Sequence, residues 1–159
     1  MTTYFDDEFA RVWIDHSVPC AFTSIARHLS PLEVKKISPH ELLALRDLRR
    51  KSKVLYSITD LSACTSLSQE MILHYMDEVV VPGQVEGYLY KLFIKPERKG
   101  IYPLMDALDV YADLPNLKAE VFDTFESAMR AINGLSMDRL NLVEAKPKRF
   151  AKLFFGFLS

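Results

Sequence analysis

The stretch from Val54 to Ile72 limits the fold more than any other, because strand, corner and helix signals follow one another in it without a break. Val54 to Leu61 carries β-branched and aromatic residues and reads as a strand. Asp60-Leu61-Ser62 turns the chain, and Thr65, Ser66 and Ser68 make the next segment hydroxyl-rich. Met71, Ile72, Tyr75, Met76 and Val79 then recur at helical spacing. A strand that enters a helix in this way is half of a β-α-β crossover. In α/β domains the loop at the carboxyl end of such a strand often carries the function.

The flanking segments extend the pattern. Phe9 to Asp15 alternates around Val12 and Ile14, and Cys20 to Ile25 follows a turn containing Ser17 and Pro19, which predicts an antiparallel opening pair. Ser30-Pro31-Leu32-Glu33 and Ser38-Pro39-His40-Glu41 each have the order of a helix start. Together they predict a short turn and then a main helix with Leu42, Leu45 and Leu48 inward, closing on Arg46, Arg49, Arg50 and Lys51. Pro82-Gly83 marks the end of the second helix. Tyr88 to Ile94 is apolar on both faces and predicts an interior strand near the sheet centre. Ile101, Leu104, Met105 and Leu108 define a third helix, and Lys118 to Phe122 a last short strand. Asp123-Thr124-Phe125-Glu126 reads as a capping box opening a helix with Phe125, Ala128, Met129 and Ile132 inward, ended by Asn133-Gly134. This order specifies an α/β domain over residues 1–134. Its sheet is mostly parallel and open, of about five strands, with an antiparallel N-terminal edge hairpin and crossover helices.

Bulk properties exclude several functions. With 159 residues, 49% of them hydrophobic, the chain can bury a core without metals or disulfides. A net charge of −1 provides no general field for a phosphate backbone, so no nucleic-acid partner is expected. Cys20 and Cys64 lie far apart, and acidic residues occupy the N-terminus where a signal peptide needs a basic start, which predicts a reducing, cytoplasmic location. The apolar runs fall far short of the roughly 20 residues that span a bilayer, so no integral membrane insertion is expected.

The loop after the Val54 strand supplies the candidate site: Asp60, Ser62, Thr65, Ser66, Ser68 and Gln69. Hydroxyls at the amino end of a helix can cap it, attract an anion or carry a phosphate. Capping alone also accounts for them, with Ser66 or Ser68 as the cap, Gln69 completing a box for Ser66, and Asp60 closing a turn. His16, His28, His40 and His74 fall in different elements without ligand spacing, so neither metal nor cofactor is expected. Cys64 has no neighbouring His or Lys to activate it and reads as a small buried hydrophobe. Asp6-Asp7 and Asp77-Glu78 are adjacent in sequence without converging on anything, and no catalytic residue is assigned.

The succession of strand, Asp-Leu-Ser, loop and helix, then YLYKLFI, a helix and VFDTFESAMRAI, resembles the STAS superfamily, in particular bacterial stand-alone STAS/SEC14-like proteins. The resemblance covers about residues 5–134. In the anti-sigma factor antagonists of that superfamily an Asp-Ser-Ser-Gly segment opens the equivalent helix, and its phosphorylated serine switches binding to a kinase partner. Ser68-Gln69-Glu70-Met71 occupies that place, with Gln69 and Glu70 where the serines belong and Met71 for the glycine, so the phosphoswitch does not carry over unless Ser66 or Ser68 substitutes. The resemblance implies a non-enzymatic regulatory or protein-interaction module acting through the Asp60 to Ser68 corner, on a protein partner or a second copy of itself. The SEC14-like comparison implies the alternative, a carrier or sensor of a lipid or small apolar ligand.

Residues 135–159 form a C-terminal extension. Phe150, Leu153, Phe154, Phe157 and Leu158 share one face at helical spacing, with Lys148, Arg149 and Lys152 off it. Such an amphipathic helix suits docking on its own domain or on a second chain, a membrane surface, or another protein. Docking on a folded surface is the expectation, because exposed phenylalanines invite aggregation.

Overall fold

The computed structural model describes residues 1–134. Their backbone forms one six-stranded sheet in the order β1 to β6, each strand beside its neighbour in sequence. The strands are β1 (Thr2–Asp6), β2 (Ala10–Asp15), β3 (Cys20–Ile25), β4 (Val54–Asp60), β5 (Tyr88–Ile94) and β6 (Leu117–Phe122). The pairs β1/β2 and β2/β3 are antiparallel, and β3/β4, β4/β5 and β5/β6 are parallel. The α/β class and antiparallel opening are therefore as the sequence predicts. The edge strand β1 is additional, bulged between Thr3 and Phe5 and tied to the first helix by Tyr4 Oη donating to Asp47 Oδ2 at 2.6 Å. Although β5 is interior and buried on both sides, as its composition predicts, it is fifth of six in the sheet, next to the edge rather than central.

Helix α1 (Pro31–Arg49) is one continuous helix, not a turn followed by a helix. Ser30 caps it in a complete capping box with Glu33. Pro39 removes the N–H that would bond the Lys35 carbonyl, and the Ser38 hydroxyl donates to that carbonyl at 3.3 Å, so the helix passes through. Helix α2 (Gln69–Tyr75) likewise continues past Pro82-Gly83, through a π-helical turn (Met76–Val80) into α3 (Val81–Val85). Val81 N–H bonds Met76 O in the wide turn's register, and the proline falls in the first turn of α3, where its missing donor is tolerated.

Helix α4 (Arg98–Val110) buries Gly100, Leu104 and Ala107, while Met105, expected inward, faces solvent. Contacts among α1, α2, α3 and α4 place them together on one face of the sheet, over Val12, Ile14, Ala21, Ile25, Leu55, Leu89 and Phe93. Among the described residues the strand order never reverses, so their strands form no topological switch point that would open a crevice. The last helix, α5 (residues 125–134), lies on the opposite face, with Ala128 and Ile132 against Phe22, Tyr56, Ile58, Tyr90 and Leu92. Thr124 and Ser127, rather than Asp123 and Glu126, make its reciprocal cap, at 3.1 and 3.2 Å. Phe125 packs near Phe22 but stays 40% exposed. Among the described residues no helix is long and apolar enough to cross a membrane. Phe150, Leu153, Phe154 and Phe157 lie outside the described residues.

Candidate functional site

The parallel strands direct the carboxyl ends of β3, β4, β5 and β6 to one edge of the molecule, and the Asp60 to Gln69 corner stands there. Asp60 Oδ1 accepts from Ser62 N at 2.9 Å, closing the turn as expected, and Cys64 N donates to Leu61 O at 2.9 Å. Leu61, Cys64 and Leu67 point inward at every third residue and are buried. The Cys64 sulfur lies 3.5 Å from Ile25 O and 3.6 Å from Arg27 O, which fastens the loop to the end of β3. Burial, with the Asp60 charge adding to it, pushes the Cys64 thiol up to about 11, far from a reactive thiolate.

Between these anchors Ser62, Thr65, Ser66 and Gln69 are exposed, while Asp60 and Ser68 are half-buried. Ser68, not Ser66, caps α2: its Oγ accepts from Met71 N at 3.2 Å and lies 3.0 Å from His28 Nε2. The regular part of α2 covers seven residues, so its dipole is short, and the Met71 N–H is already taken. The expected pull on an anion at this helix start is correspondingly weak. His28 also adjoins the Arg27 to Glu33 pair, whose two guanidinium bonds measure 2.8 and 3.1 Å. Those bonds, with one from Ser30 N, hold Glu33 down to about 2.

A second constellation lies in the core. Thr23 on β3, Ser57 and Thr59 on β4 and Lys91 on β5 share the helix-covered face, and Glu41 of α1 and Tyr75 of α2 reach down to them. Lys91 Nζ donates to Glu41 Oε1, to Ser57 Oγ at 2.8 Å and to Tyr75 Oη at 2.9 Å, which uses all three of its hydrogens. Glu41 Oε1 also accepts from Ser57 at 3.1 Å, and Oε2 accepts from Thr23 at 2.8 Å and Tyr75 at 2.6 Å. With the Tyr75 proton committed to Glu41, the 2.7 Å contact to Thr59 is a donation by Thr59. Burial alone would raise Glu41, but the Lys91 ammonium and these donors hold its carboxyl below the ordinary range. Burial lowers Lys91 against the pull of Glu41 and raises Tyr75 well above a free phenol. The network is chemically closed: its donors are spent on its own acceptors, and it fastens α1 and α2 to three strands.

The sequence contains a signal for this network that residue-type scanning overlooks. Lys91 sits in the middle of the apolar run YLYKLFI, and Glu41 falls on the inward stripe of Val34, Ile37, Leu45 and Leu48. A buried charge of each sign, on neighbouring elements, calls for pairing. The four histidines stay apart: His16 meets Thr2, His28 meets Ser68, His74 meets Glu70 at 3.9 Å, and the His40 ring lies 5.1 Å from Phe5. Among the described residues no group of three His, Cys, Asp or Glu could hold a metal ion. Comparison of the chain with family models, with curated proteins and with solved structures finds no match.

Proposed function

We propose that this chain is a non-enzymatic, STAS-like interaction module that engages a protein partner through the exposed face of the Asp60 to Gln69 corner. One observation carries the reading. Leu61, Cys64 and Leu67 are buried anchors, while Ser62, Thr65, Ser66 and Gln69 stand exposed between and beside them. The polar side chains are thus presented on a fixed base, which lowers the ordering cost of a contact. The antiparallel opening followed by parallel strands and crossover helices supports the STAS-like assignment. Gln69 and Glu70 replace the switch serines, so the proposed contact is not governed by that phosphorylation.

A photo-crosslinking amino acid placed at Ser66 of the full chain, in the cells the protein comes from, tests the reading. A discrete protein adduct at position 66, absent when the same group replaces the exposed Tyr102 of α4, is the expected result. No adduct, or the same adducts at both positions, contradicts it. A second reading, a carrier of a small apolar ligand, draws on the aromatic second face of the sheet, where Trp13, Phe22, Tyr56 and Tyr90 gather.

A further inference from the structure

The helix layer on the first face of the sheet divides by charge. Lys35, Lys36, Arg46, Arg49 and Arg50 project from α1 and its end, and Lys51 and Lys53 follow, all exposed. Glu86 answers Arg46 and Arg49 at 2.7 and 3.2 Å, and Asp47 lies 3.8 Å from Arg50. By contrast, no Lys or Arg occurs from Gln69 to Gly87 or from Gly100 to Asp113. On α4 and the turn after it Asp106, Asp109 and Asp113 are exposed, as is Asp77, which accepts from Tyr111 Oη. A chain of net charge −1 thus carries a basic flank and an acidic flank on one face.

Both flanks mix apolar side chains with their charges. Along α1, Leu32, Lys36, Pro39, Leu43, Arg46 and Arg50 follow one another at intervals of three or four and are all exposed, which makes one stripe. Along α4, Tyr102, Met105, Asp106 and Asp109 share an exposed face. Leu32 is 73% and Tyr102 76% exposed, so contact between the two stripes would take apolar area out of water on each side. Because α1 follows β3 and α4 follows β5, the two helices run parallel, and α2 lies between them, touching each. A two-fold axis along these helices lays the α1 of one copy over the α4 of the other, twice in one contact. Six strands about 4.8 Å apart make the layer roughly 24 Å wide, and the 19 residues of α1 make it roughly 28 Å long. Two such faces cover on the order of 1,300 Å², the size of a specific interface. We propose that two copies of this chain associate through their helix layers, with the cation and leucine stripe of each α1 against the aspartate, Tyr102 and Met105 stripe of the other copy's α4. The proposal does not depend on the corner reading, since Ser62, Thr65 and Ser66 lie outside both stripes.

Charge reversal on each flank of the full chain, read by sedimentation equilibrium at low salt, provides the test. The parent is expected to be a dimer that weakens as salt is added. Lys36→Glu with Arg50→Glu, and separately Asp106→Lys with Asp109→Lys, should each weaken self-association on the order of tenfold or more. Mixed in equal amounts, the two variants should form a mixed dimer about as strong as the parent's, because both α1 to α4 contacts then join opposite charges. Recovery on mixing needs two folded chains, which separates loss of the contact from loss of the fold. No recovery from two variants that keep the parent's circular dichroism overturns the proposal, as does a parent that stays monomeric. If a double variant unfolds, the single Lys36→Glu and Asp109→Lys variants replace it in the same mixing experiment. Assemblies larger than two copies overturn the two-fold contact. Vesicles of phosphatidylserine and phosphatidylcholine complete the test. A monomer that sediments with them, and is released by Lys36→Glu with Arg50→Glu, overturns the proposal in favour of a membrane surface on α1.

Discussion

Lys91 places an ammonium inside a sheet, which is favourable only while Glu41, Tyr75 and Ser57 answer its three donors. Lys91→Met leaves the Glu41 carboxylate buried without its cation and is expected to cost about 3–5 kcal/mol in urea unfolding. The pair Glu41→Gln with Lys91→Met removes both charges and should recover most of that loss; a double variant no better than the single one would refute the pairing account. At the corner, Ser68→Ala removes the α2 cap and should cost about 1 kcal/mol. Ser66→Glu, at an exposed position without a capping role, should leave urea stability within about 0.5 kcal/mol. The hydroxyls of the loop were legible from sequence as a group, but which one caps was not. Ser66 and Ser68 are equally good caps by type, and the backbone path, set by Leu67 turning inward, selects Ser68.

At the scale of elements, the strands after Cys20 were legible because their apolar patterns are strong and each is bounded by turn residues. The prolines misled, each for a physical reason. Ser38-Pro39 imitates a helix start, yet Ser38 supplies the donor Pro39 lacks, and the π-helical turn ahead of Pro82 lets the chain remain helical. Strand β1 is too short and too exposed to stand out, and it forms because Tyr4 and Phe5 pack against the core. Gly100 shows how closely elements meet at the corner. A Cβ there would lie 2.8 Å from Leu67 Cβ and 2.9 Å from Pro96 Cγ, atoms with little freedom to move. Gly100→Ala is therefore expected to destabilise by about 1–3 kcal/mol, and native hydrogen exchange should place the loosening at the corner and the start of α4. A variant as stable as the parent would show that α4 can shift without cost.

For the whole molecule, acid is the expected weakness. Glu33, held down to about 2, and Glu41 and Glu86, held below the ordinary carboxyl range by their cationic partners, bind protons less readily folded than unfolded. Their contribution is therefore fully present above the unfolded value of about 4.3 and is lost as the pH falls from there toward about 2. Urea midpoints should be level from neutral pH to about pH 5 and fall below it, and Glu33→Gln should flatten that fall. A midpoint that does not change down to pH 3 would contradict the assignment. The most direct test of the central claim is native mass spectrometry of the full chain taken from its own cells, beside its Ser66→Glu variant. The interaction-module account predicts a protein mass on the chain that the variant loses. A small apolar mass carried equally by both would contradict it and establish the carrier reading instead.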